Sequence, residues 1–267
     1  MYQFEYVRAG SMGDVESALA ANPEATVLAG GQTLLPTLKQ RLAQPGAVID
    51  LGGVDGLSGI RQDGSTLVIG AMTTHAAVAA SSEVAAAIPA LAKLADGIGD
   101  PQVRNCGTIG GSLANNDPSA DYPSAVLALS ATIVTNKRQI GADDFFQGMF
   151  ATALGDGEII TEVQFATPGF AGYSKIEQRA SRYPLVGVFV AKPASNPNEV
   201  RVAVTGAGGD GVFRCQPIEA ALSANFAGSA ARAVNVEPGA MLGDMHGSAE
   251  YRAALISVLA ERAVDGA

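Results

Sequence analysis

Two glycine pairs constrain the fold of this chain more than any other feature of its sequence. The first lies in VLAGGQTLLPTLKQRL (27–42), where an apolar, strand-like run meets Gly30-Gly31 and then a leucine-patterned helix. The second lies in RNCGTIGGSLANNDPSADYP (104–123). Glycine lets the backbone approach another group closely, and a loop that opens a helix carries unpaired N–H donors and a partial positive charge. Each pair therefore predicts a cradle for an anion such as a pyrophosphate.

Carboxylate, amide and hydroxyl side chains follow the second glycine pair closely: Asn115, Asn116, Asp117, Ser119 and Asp121. Such groups beside a phosphate-binding loop suit ribose hydroxyls and adenine nitrogens. Two glycine loops from distant segments could hold one diphosphate between them. The pattern therefore predicts a dinucleotide site, although a tight turn is the ordinary alternative for either pair taken alone.

A third glycine-rich segment matches a nucleotide fingerprint in its letters only. GAGGDG (206–211) has the G-x-G-x-x-G spacing and follows the strand-like VRVAV. A dinucleotide fold requires a helix to begin within that loop. Here VFRCQP intervenes, with Pro217 before the next helical pattern, and only the residues 212–267 remain. We interpret this segment as a turn to a strand or a helix.

The charge balance and the cysteine count exclude several classes of function. A formal net charge of −9 over 267 residues disfavours a nucleic-acid partner, which would need basic patches. The cysteines, Cys106 and Cys215, are too few for an iron–sulfur cluster or a four-thiolate zinc site. A disulfide between them is possible, but a reducing compartment is the default expectation.

No segment predicts a membrane span or a secretory signal. The first residues, MYQFEYVRAG, have no apolar core, and the alanine-rich segment 76–95 carries Glu83, Pro89 and Lys93. We expect helices of a soluble, cytoplasmic protein in that segment.

The periodicity of the apolar residues predicts a mixed chain of helices and strands. Ser11 and Asp14 indicate a capped helix to about Ala21, and Thr74 indicates the start of helical structure over 74–98. A helix over 33–43 would place four leucines on one face: Leu34, Leu35, Leu38 and Leu42. Strands are predicted at 25–29, 47–51, 65–71, 131–136 and 158–166.

The pattern changes after TPGFAG (167–172), near residue 168. Three strand-like segments follow in succession, YSKIEQRA, LVGVFVAKPA and EVRVAVTGAG, and then helical patterns at about 217–226 and 248–264. Strands followed by helices predict a second, α+β unit with an antiparallel sheet.

These segments together resemble the FAD-binding medium subunit of the molybdenum hydroxylases, the group of aerobic carbon monoxide dehydrogenase and xanthine dehydrogenase. The resemblance covers almost the whole chain. The family's first flavin loop, with its helix and strand, is similar to LAGGQTLLPTLKQRLAQPGAVIDL. The family's second and more specific block is similar to QVRNCGTIGGSLANNDPSADYPSAVLAL. Further blocks match in the family's order, namely IGAMTTHAAVAAS, GADDFFQG, DGEIITEVQF and YSKIEQRASRYPLVGVFVA.

The resemblance implies an α+β fold in two parts. Residues 1–168 would form an FAD-binding domain of the p-cresol methylhydroxylase type, made of two α/β subdomains that divide near residue 55. Residues 169–267 would form a C-terminal domain with a three-stranded antiparallel sheet.

The resemblance also implies roles for individual residues. The two glycine loops would hold the FAD diphosphate, Asp121 would contact the nucleotide end with Ser119 beside it, and Lys175 and Tyr183 would lie near the isoalloxazine. The residues of the two loops that are implied to bind FAD are Leu28, Ala29, Gly30, Gly31, Gln32, Thr33, Leu34, Thr108, Ile109, Gly110, Gly111 and Ser112.

Two positions depart from the family's pattern. Ser112 stands where GGN is common, which puts one side-chain contact in doubt. Gln32 stands where many relatives have histidine, and in the wider fold a histidine after paired glycines can carry a covalent flavin bond. An amide cannot form that bond, so we expect noncovalent FAD.

The sequence contains no evident acid–base machinery. His75 and His246 are its histidines, interpreted as structural and as a solvated loop residue, and no triad or metal cluster has a plausible spacing. We therefore predict neither a catalytic residue nor a metal ligand. This fits a subunit in which the flavin performs the chemistry and the protein positions it.

By resemblance, the chain would be an electron-transfer subunit. A large partner subunit would carry the molybdenum cofactor, and a small partner would carry two [2Fe–2S] clusters whose electrons reach this FAD. The assembly would be a dimer of heterotrimers. The hydroxylated substrate and the final acceptor stay open, because the substrate pocket lies on another chain. The alternatives are a stand-alone FAD-dependent oxidase or dehydrogenase, and a scaffold subunit that has lost its flavin.

Overall fold

A computed structural model describes residues 1–266. The chain begins with a three-stranded parallel sheet in the order β1-β3-β2, with helix α1 (Met12–Ala21) between the first two strands. The strands are β1 (Glu5–Arg8), β2 (Thr26–Leu28) and β3 (Ala47–Asp50). The predicted N-cap is confirmed, since the Ser11 hydroxyl accepts a hydrogen bond from the Asp14 N–H at 3.2 Å.

Helix α2 (Leu34–Lys39) follows the first glycine pair and is shorter than the predicted helix over 33–43. The backbone of Arg41 adopts a left-handed conformation with φ of 61°, which ends the helix. Leu38 is buried, but Leu42 lies past the end of the helix and is 74% exposed. The prediction that all four leucines lie on one helix face is therefore wrong for Leu42.

A five-stranded antiparallel sheet follows, in the order β4-β5-β10-β6-β7. Its central strand β10 (Ile160–Ala166) buries Ile160, Val163 and Phe165, and a register shift between Ile160 and Glu162 explains why these side chains do not strictly alternate. The other strands are β4 (Ile60–Asp63), β5 (Thr66–Gly70), β6 (Thr132–Thr135) and β7 (Gln139–Gly141); a short hairpin adds β8 (Phe146–Gly148) and β9 (Ala151–Thr152).

The helical segment predicted over 74–98 consists of three helices. Thr74 caps the first as predicted, the Ser81 hydroxyl accepts from the Val84 N–H to start the second, and Pro89 opens the third. A proline is tolerated at a helix start and disfavours helix in the residue before it, which explains this break. The helices of this region are α3 (His75–Ala80), α4 (Ser82–Ala87), α5 (Pro89–Asp96), α6 (Pro101–Cys106), α7 (Ile109–Asn115), α8 (Tyr122–Ala128) and α9 (Ala142–Phe145).

The C-terminal region has an antiparallel sheet of four strands, one more than the resemblance implied. The fourth strand has two residues and follows the GAGGDG segment, which is therefore a strand-to-strand turn as the sequence suggested. The strands are β11 (Pro168–Glu177), β12 (Pro184–Pro193), β13 (Arg201–Thr205) and β14 (Phe213–Arg214), and the helices are α10 (Gln216–Ala224), α11 (Gly228–Arg232) and α12 (Ala249–Asp265).

Strand β12 is buried along eight successive residues, 184–191. It is covered on both faces, because α12 packs against β11 and β12 while α8 packs against β12 and β13. Helix α8 is buried over its whole length. Through one apolar face, the sheet therefore packs the C-terminal region against α8, which follows the second glycine pair.

Within residues 1–266, no helix combines the length and the apolar character that a membrane crossing requires. The same residues contain no group of three or more His, Cys, Asp or Glu side chains arranged to hold a metal ion.

Candidate functional site

A cavity of about 750 Å³ lies where the two glycine loops meet. This volume is typical of sites for small molecules and cofactors, which span about 300–1,000 Å³. Its wall includes most of the residues that the sequence analysis singled out: Ala29, Gly30, Gly31, Gln32, Thr33, Leu34, Thr108, Gly110, Gly111, Ser112, Asp121 and Tyr183.

The other four residues do not line this cavity. Ile109 is fully buried in the core, and Leu28 lies in β2. The Ser119 N–H donates to the Asp117 carboxylate at 2.8 Å, so Ser119 belongs to the turn before α8. Lys175 lies behind Asp121. Direct contact of these four residues with a cofactor stays a prediction that the cavity wall does not support.

The first loop offers free backbone donors. The N–H groups of five successive residues, 30–34, donate no hydrogen bond to any residue within 1–266. Gly31 has φ of 72°, a conformation that glycine adopts without strain. Unpaired N–H groups that converge on a cavity attract an anion. The loop therefore has the free donors that the predicted cradle requires, and anion binding there stays a prediction.

The second loop offers fewer free donors than its sequence suggested. Four successive N–H groups already donate within the chain: Ile109 to the Thr73 carbonyl at 3.1 Å, Gly110 to the Ala71 carbonyl at 2.8 Å, Gly111 to the Thr108 hydroxyl at 3.1 Å and Ser112 to the Thr108 carbonyl at 3.0 Å. The prediction of free glycine donors in this loop is wrong, and within residues 1–266 only the Thr108 N–H of the loop is left without an acceptor. The second loop contributes a close-fitting wall and the Ser112 side chain.

Close packing explains why one position of each pair must be glycine. A Cβ atom on Gly30 would lie 2.1 Å from the Cys106 carbonyl oxygen, and one on Gly110 would lie 2.6 Å from the Ala71 Cβ. Real side chains do not approach so closely. Gly30 therefore lets the first loop touch the segment before the second, and Gly110 seats the second loop on the end of β5.

Asp121 is the buried carboxylate of the site. Its Oδ1 accepts hydrogen bonds from the Tyr173 hydroxyl at 2.7 Å and the Lys175 ammonium at 2.9 Å. Burial raises the pKa of this carboxyl, while the charge of Lys175 and the two hydrogen bonds act in the opposite direction. Asp121 is fixed at the cavity wall with Oδ2 left to bind another donor.

Lys175 uses all three of its N–H donors inside the protein. Besides Asp121, the ammonium group donates to the carbonyls of Gly97 and Arg182, each at 2.8 Å. The position implied for it beside the isoalloxazine is not supported by these contacts. Lys175 instead ties together three segments that border the cavity.

Tyr183 lies at the rim of the cavity in the turn between β11 and β12. The residue is 44% exposed, and burial of the remainder raises the pKa of its hydroxyl. The turn is closed by hydrogen bonds of 2.8 Å from the Gln178 N–H to the Tyr183 carbonyl and from the Arg182 N–H to the Gln178 carbonyl.

Two residues at the cavity were missed or undervalued by sequence reasoning. His75, interpreted as structural, is 5% exposed and lines the cavity. Glu158 also lines it and receives hydrogen bonds from Arg138, Thr135 and the Gly155 N–H, which lower the pKa of its carboxyl from 4.5 to about 2 despite burial. In the sequence, nothing near Glu158 distinguishes it from the acidic residues that lie on the surface.

Comparisons with known proteins agree with the geometry. A family model described as the FAD-binding domain in molybdopterin dehydrogenase matches residues 2–168. The nicotine 6-hydroxylase medium subunit of Paenarthrobacter nicotinovorans is 37% identical over 270 residues, which cover 97% of this chain and 95% of that subunit. The carbon monoxide dehydrogenase medium chain of Hydrogenophaga pseudoflava is 34% identical over 283 residues, covering 99% and 97% of the two chains.

Solved structures show the same fold over the full chain. A chain of quinoline 2-oxidoreductase from Pseudomonas putida 86 superimposes with a TM-score of 0.88 and 29% identity, covering 100% of this chain and 97% of that one. A chain of the Hydrogenophaga pseudoflava carbon monoxide dehydrogenase that lacks the Mo-pyranopterin moiety gives a TM-score of 0.87 and 34% identity, covering 99% and 96%.

Proposed function

Because this chain belongs to the family of FAD-binding domains in molybdopterin dehydrogenases, we propose that it is the FAD-carrying electron-transfer subunit of a multi-subunit molybdenum hydroxylase. It takes electrons from iron–sulfur clusters of one partner subunit and passes them to an external acceptor. Hydroxylation takes place on another partner, which carries the molybdenum cofactor.

The observation that carries this proposal is the cavity beside the first glycine loop. Five unpaired N–H groups at 30–34 suit the two phosphates of FAD, since buried anions need several donors. The Asp121 Oδ2 and the Ser112 hydroxyl are available to polar groups elsewhere on the cofactor. FAD, once bound, supplies a site that exchanges electrons one or two at a time. The residues of the chain bind it, orient it and limit its contact with water.

The finer architecture is part of the proposal. Residues 1–168 form the FAD domain of the p-cresol methylhydroxylase type, with a division near residue 55, and residues 169–267 form the C-terminal domain. In support, the family model ends at residue 168, and the first sheet lies within 5–50 while the second begins at Ile60.

The chain works with a small iron–sulfur subunit and a large molybdenum subunit, assembled as a dimer of heterotrimers in the cytoplasm. The relatives are named as medium subunits or medium chains, which supports the existence of a larger and a smaller partner. Cys106 and Cys215 are free thiols, which agrees with a reducing compartment and with iron–sulfur clusters that lie on another chain.

Purification of the tagged chain from its natural host tests this assembly. We expect flavin, iron and molybdenum to elute together with two further polypeptides, one shorter and one much longer. A tagged chain that elutes alone with FAD and oxidises a substrate would instead support the stand-alone oxidase. A colourless chain that elutes with the partners would support the scaffold.

A further inference from the structure

His75 is built into the wall of the cavity by two contacts with the segment that leads to the second glycine pair. It is the first residue of α3, and its N–H donates to the Gly107 carbonyl at 2.9 Å. Its ring lies against Gly107 so closely that a Cβ atom there would be 2.6 Å from the His75 Nε2. The backbone of Gly107 is extended, with φ of −60°, so glycine is not needed there for its conformation. Glycine is needed to make room for the imidazole.

The polar atoms of this imidazole have no partner inside the protein. Nδ1 is sealed from solvent and makes no hydrogen bond with any residue of 1–266, and no group of those residues bonds Nε2. Burial lowers the pKa of His75 to about 4, and the charge of Arg104 acts in the same direction. The ring is therefore neutral near pH 7, with one donor nitrogen and one acceptor nitrogen.

The positions of the two nitrogens decide which one carries the proton. A buried N–H without an acceptor is rarer in proteins than a buried acceptor without a donor, so the sealed Nδ1 is the unprotonated nitrogen. The proton then lies on Nε2, at the outer edge of the ring beside Gly107, which also lines the cavity. This leaves one neutral N–H donor at the cavity wall, beside Gly107, which also packs against Gly30 of the first loop.

We propose that His75 is a cofactor-positioning residue whose Nε2–H donates a hydrogen bond to an acceptor atom of FAD, and that Gly107 is required because it seats this ring. The inference rests on the proposed function, since it names FAD as the occupant. It adds a contact outside both glycine loops, made by a residue that the sequence alone would assign to the core.

Two substitutions at His75 separate hydrogen bonding from packing. His75→Met fills a similar volume without an N–H, whereas His75→Gln places a side-chain N–H close to the position of Nε2. Fluorescence titration of the flavin-free chain with FAD should give a Kd about tenfold weaker for H75M and within about threefold of the parent for H75Q. Equal FAD affinity in H75M and the parent chain would overturn the inference. Failure of the parent chain to bind FAD would instead overturn the proposed function.

Nuclear magnetic resonance of the unsubstituted chain gives a test that needs no variant at His75. His75 and His246 are the histidines of the sequence, so ¹⁵N-histidine labelling yields two imidazoles, which the H246N variant assigns. We expect His75 to be protonated at Nε2 and unprotonated at Nδ1, with the Nε2–H signal moving when FAD saturates the chain. A proton on Nδ1, or a His75 signal that FAD leaves unchanged, contradicts the inference.

A double-mutant cycle tests the link to Gly107. Gly107→Ala should weaken FAD binding about as much as H75M, because its methyl group displaces the imidazole. In an H75A background the same G107A change should have little further effect, since the space is vacant. Additive losses in the double variant would show that Gly107 and His75 act independently.

Discussion

The main reason for glycine in the two pairs is steric, because a side chain there would collide with a neighbouring segment of the chain. Gly30 lies against the Cys106 carbonyl and Gly110 against Ala71, so each position brings together two segments that are distant in sequence. The sequence could predict that these residues approach something closely. It could not identify the partner, because that depends on how the strands and helices pack. The anion and the neighbouring backbone are therefore both reasons for glycine at this site.

Substitution of Gly110 should affect folding before it affects flavin binding. In Gly110→Ala the methyl group would lie 2.6 Å from the Ala71 Cβ and 2.8 Å from the Ala71 carbonyl oxygen, to which the Gly110 N–H donates. We expect the free energy of unfolding to fall by about 1–3 kcal/mol, measured by urea denaturation. Gly239→Ala is the control, because nothing lies within 4 Å of its Cβ position. Similar stabilities for the two variants would refute this reading of Gly110.

Gln32 bears on how the cofactor is attached. Its side chain lines the cavity, and its amide donates to the Gly30 carbonyl at 3.3 Å. An amide is not a nucleophile toward flavin, so we expect acid precipitation to release all FAD into the supernatant. Absorption near the flavin bands is measured in both fractions. Yellow colour retained in the denatured pellet would contradict noncovalent attachment.

At the scale of loops and short elements, local patterns identified the site only in part. The first loop lines the cavity with N–H groups left unpaired, as its strand–glycine–helix pattern indicates. In the second loop, the carbonyls of Ala71 and Thr73 accept from the N–H groups of Gly110 and Ile109. Those carbonyls follow β5, some forty residues earlier in the chain, so no local motif could reveal the contact. The same reasoning explains why Glu158 and Lys175 could not be placed from sequence.

Gly31 and Gly56 form a matched pair for testing the first loop. Both have positive φ, 72° and 81°, so alanine strains the backbone at either position. Gly31 lies in the donor loop, where a Cβ atom would also lie 2.9 Å from the Leu35 Cδ1, whereas nothing lies within 4 Å of the Gly56 Cβ position. G56A should lose roughly 1 kcal/mol of stability and G31A somewhat more, but only G31A should bind FAD at least about tenfold more weakly. Equal FAD affinities for the two variants would remove the first loop from the binding site.

The Glu158 cluster should give the chain a measurable acid sensitivity. Because the pKa of this carboxyl falls from 4.5 to about 2 on folding, its stabilising contribution is complete above pH 4.5 and is lost as the pH falls through about 2. Glu158→Gln should lower stability at pH 7 by about 2 kcal/mol and flatten the pH dependence of stability between these values. Denaturation at a series of pH values measures this. If the stability of Glu158→Gln and of the parent chain changed with pH in the same way, the acid sensitivity would come from other groups.

At the scale of the whole molecule, the mixed α+β class and the longer strands could be predicted from periodicity and from the resemblance, whereas the short strands β1, β4 and β7–β9 were not predicted. The details that failed depend on tertiary contacts. Strand β14 has only two residues and exists because it pairs with β13, and Leu42 is exposed because Arg41 ends its helix. Helix α8 is buried completely because the C-terminal sheet covers it. One consequence is that the C-terminal region borders the cavity, because Arg182 and Tyr183 line it and Lys175 donates to Asp121 from behind its wall.

The most direct test of the proposed function uses the purified chain without its partners. It should bind FAD in a one-to-one ratio, contain neither iron nor molybdenum, and hydroxylate no purine, aldehyde, N-heterocycle or carbon monoxide until the small and large subunits are added. Absorption spectroscopy, metal analysis and product detection on the same sample measure these properties. Steady hydroxylation by the metal-free chain alone, or failure to take up FAD, would contradict its assignment as the flavin-carrying electron-transfer subunit.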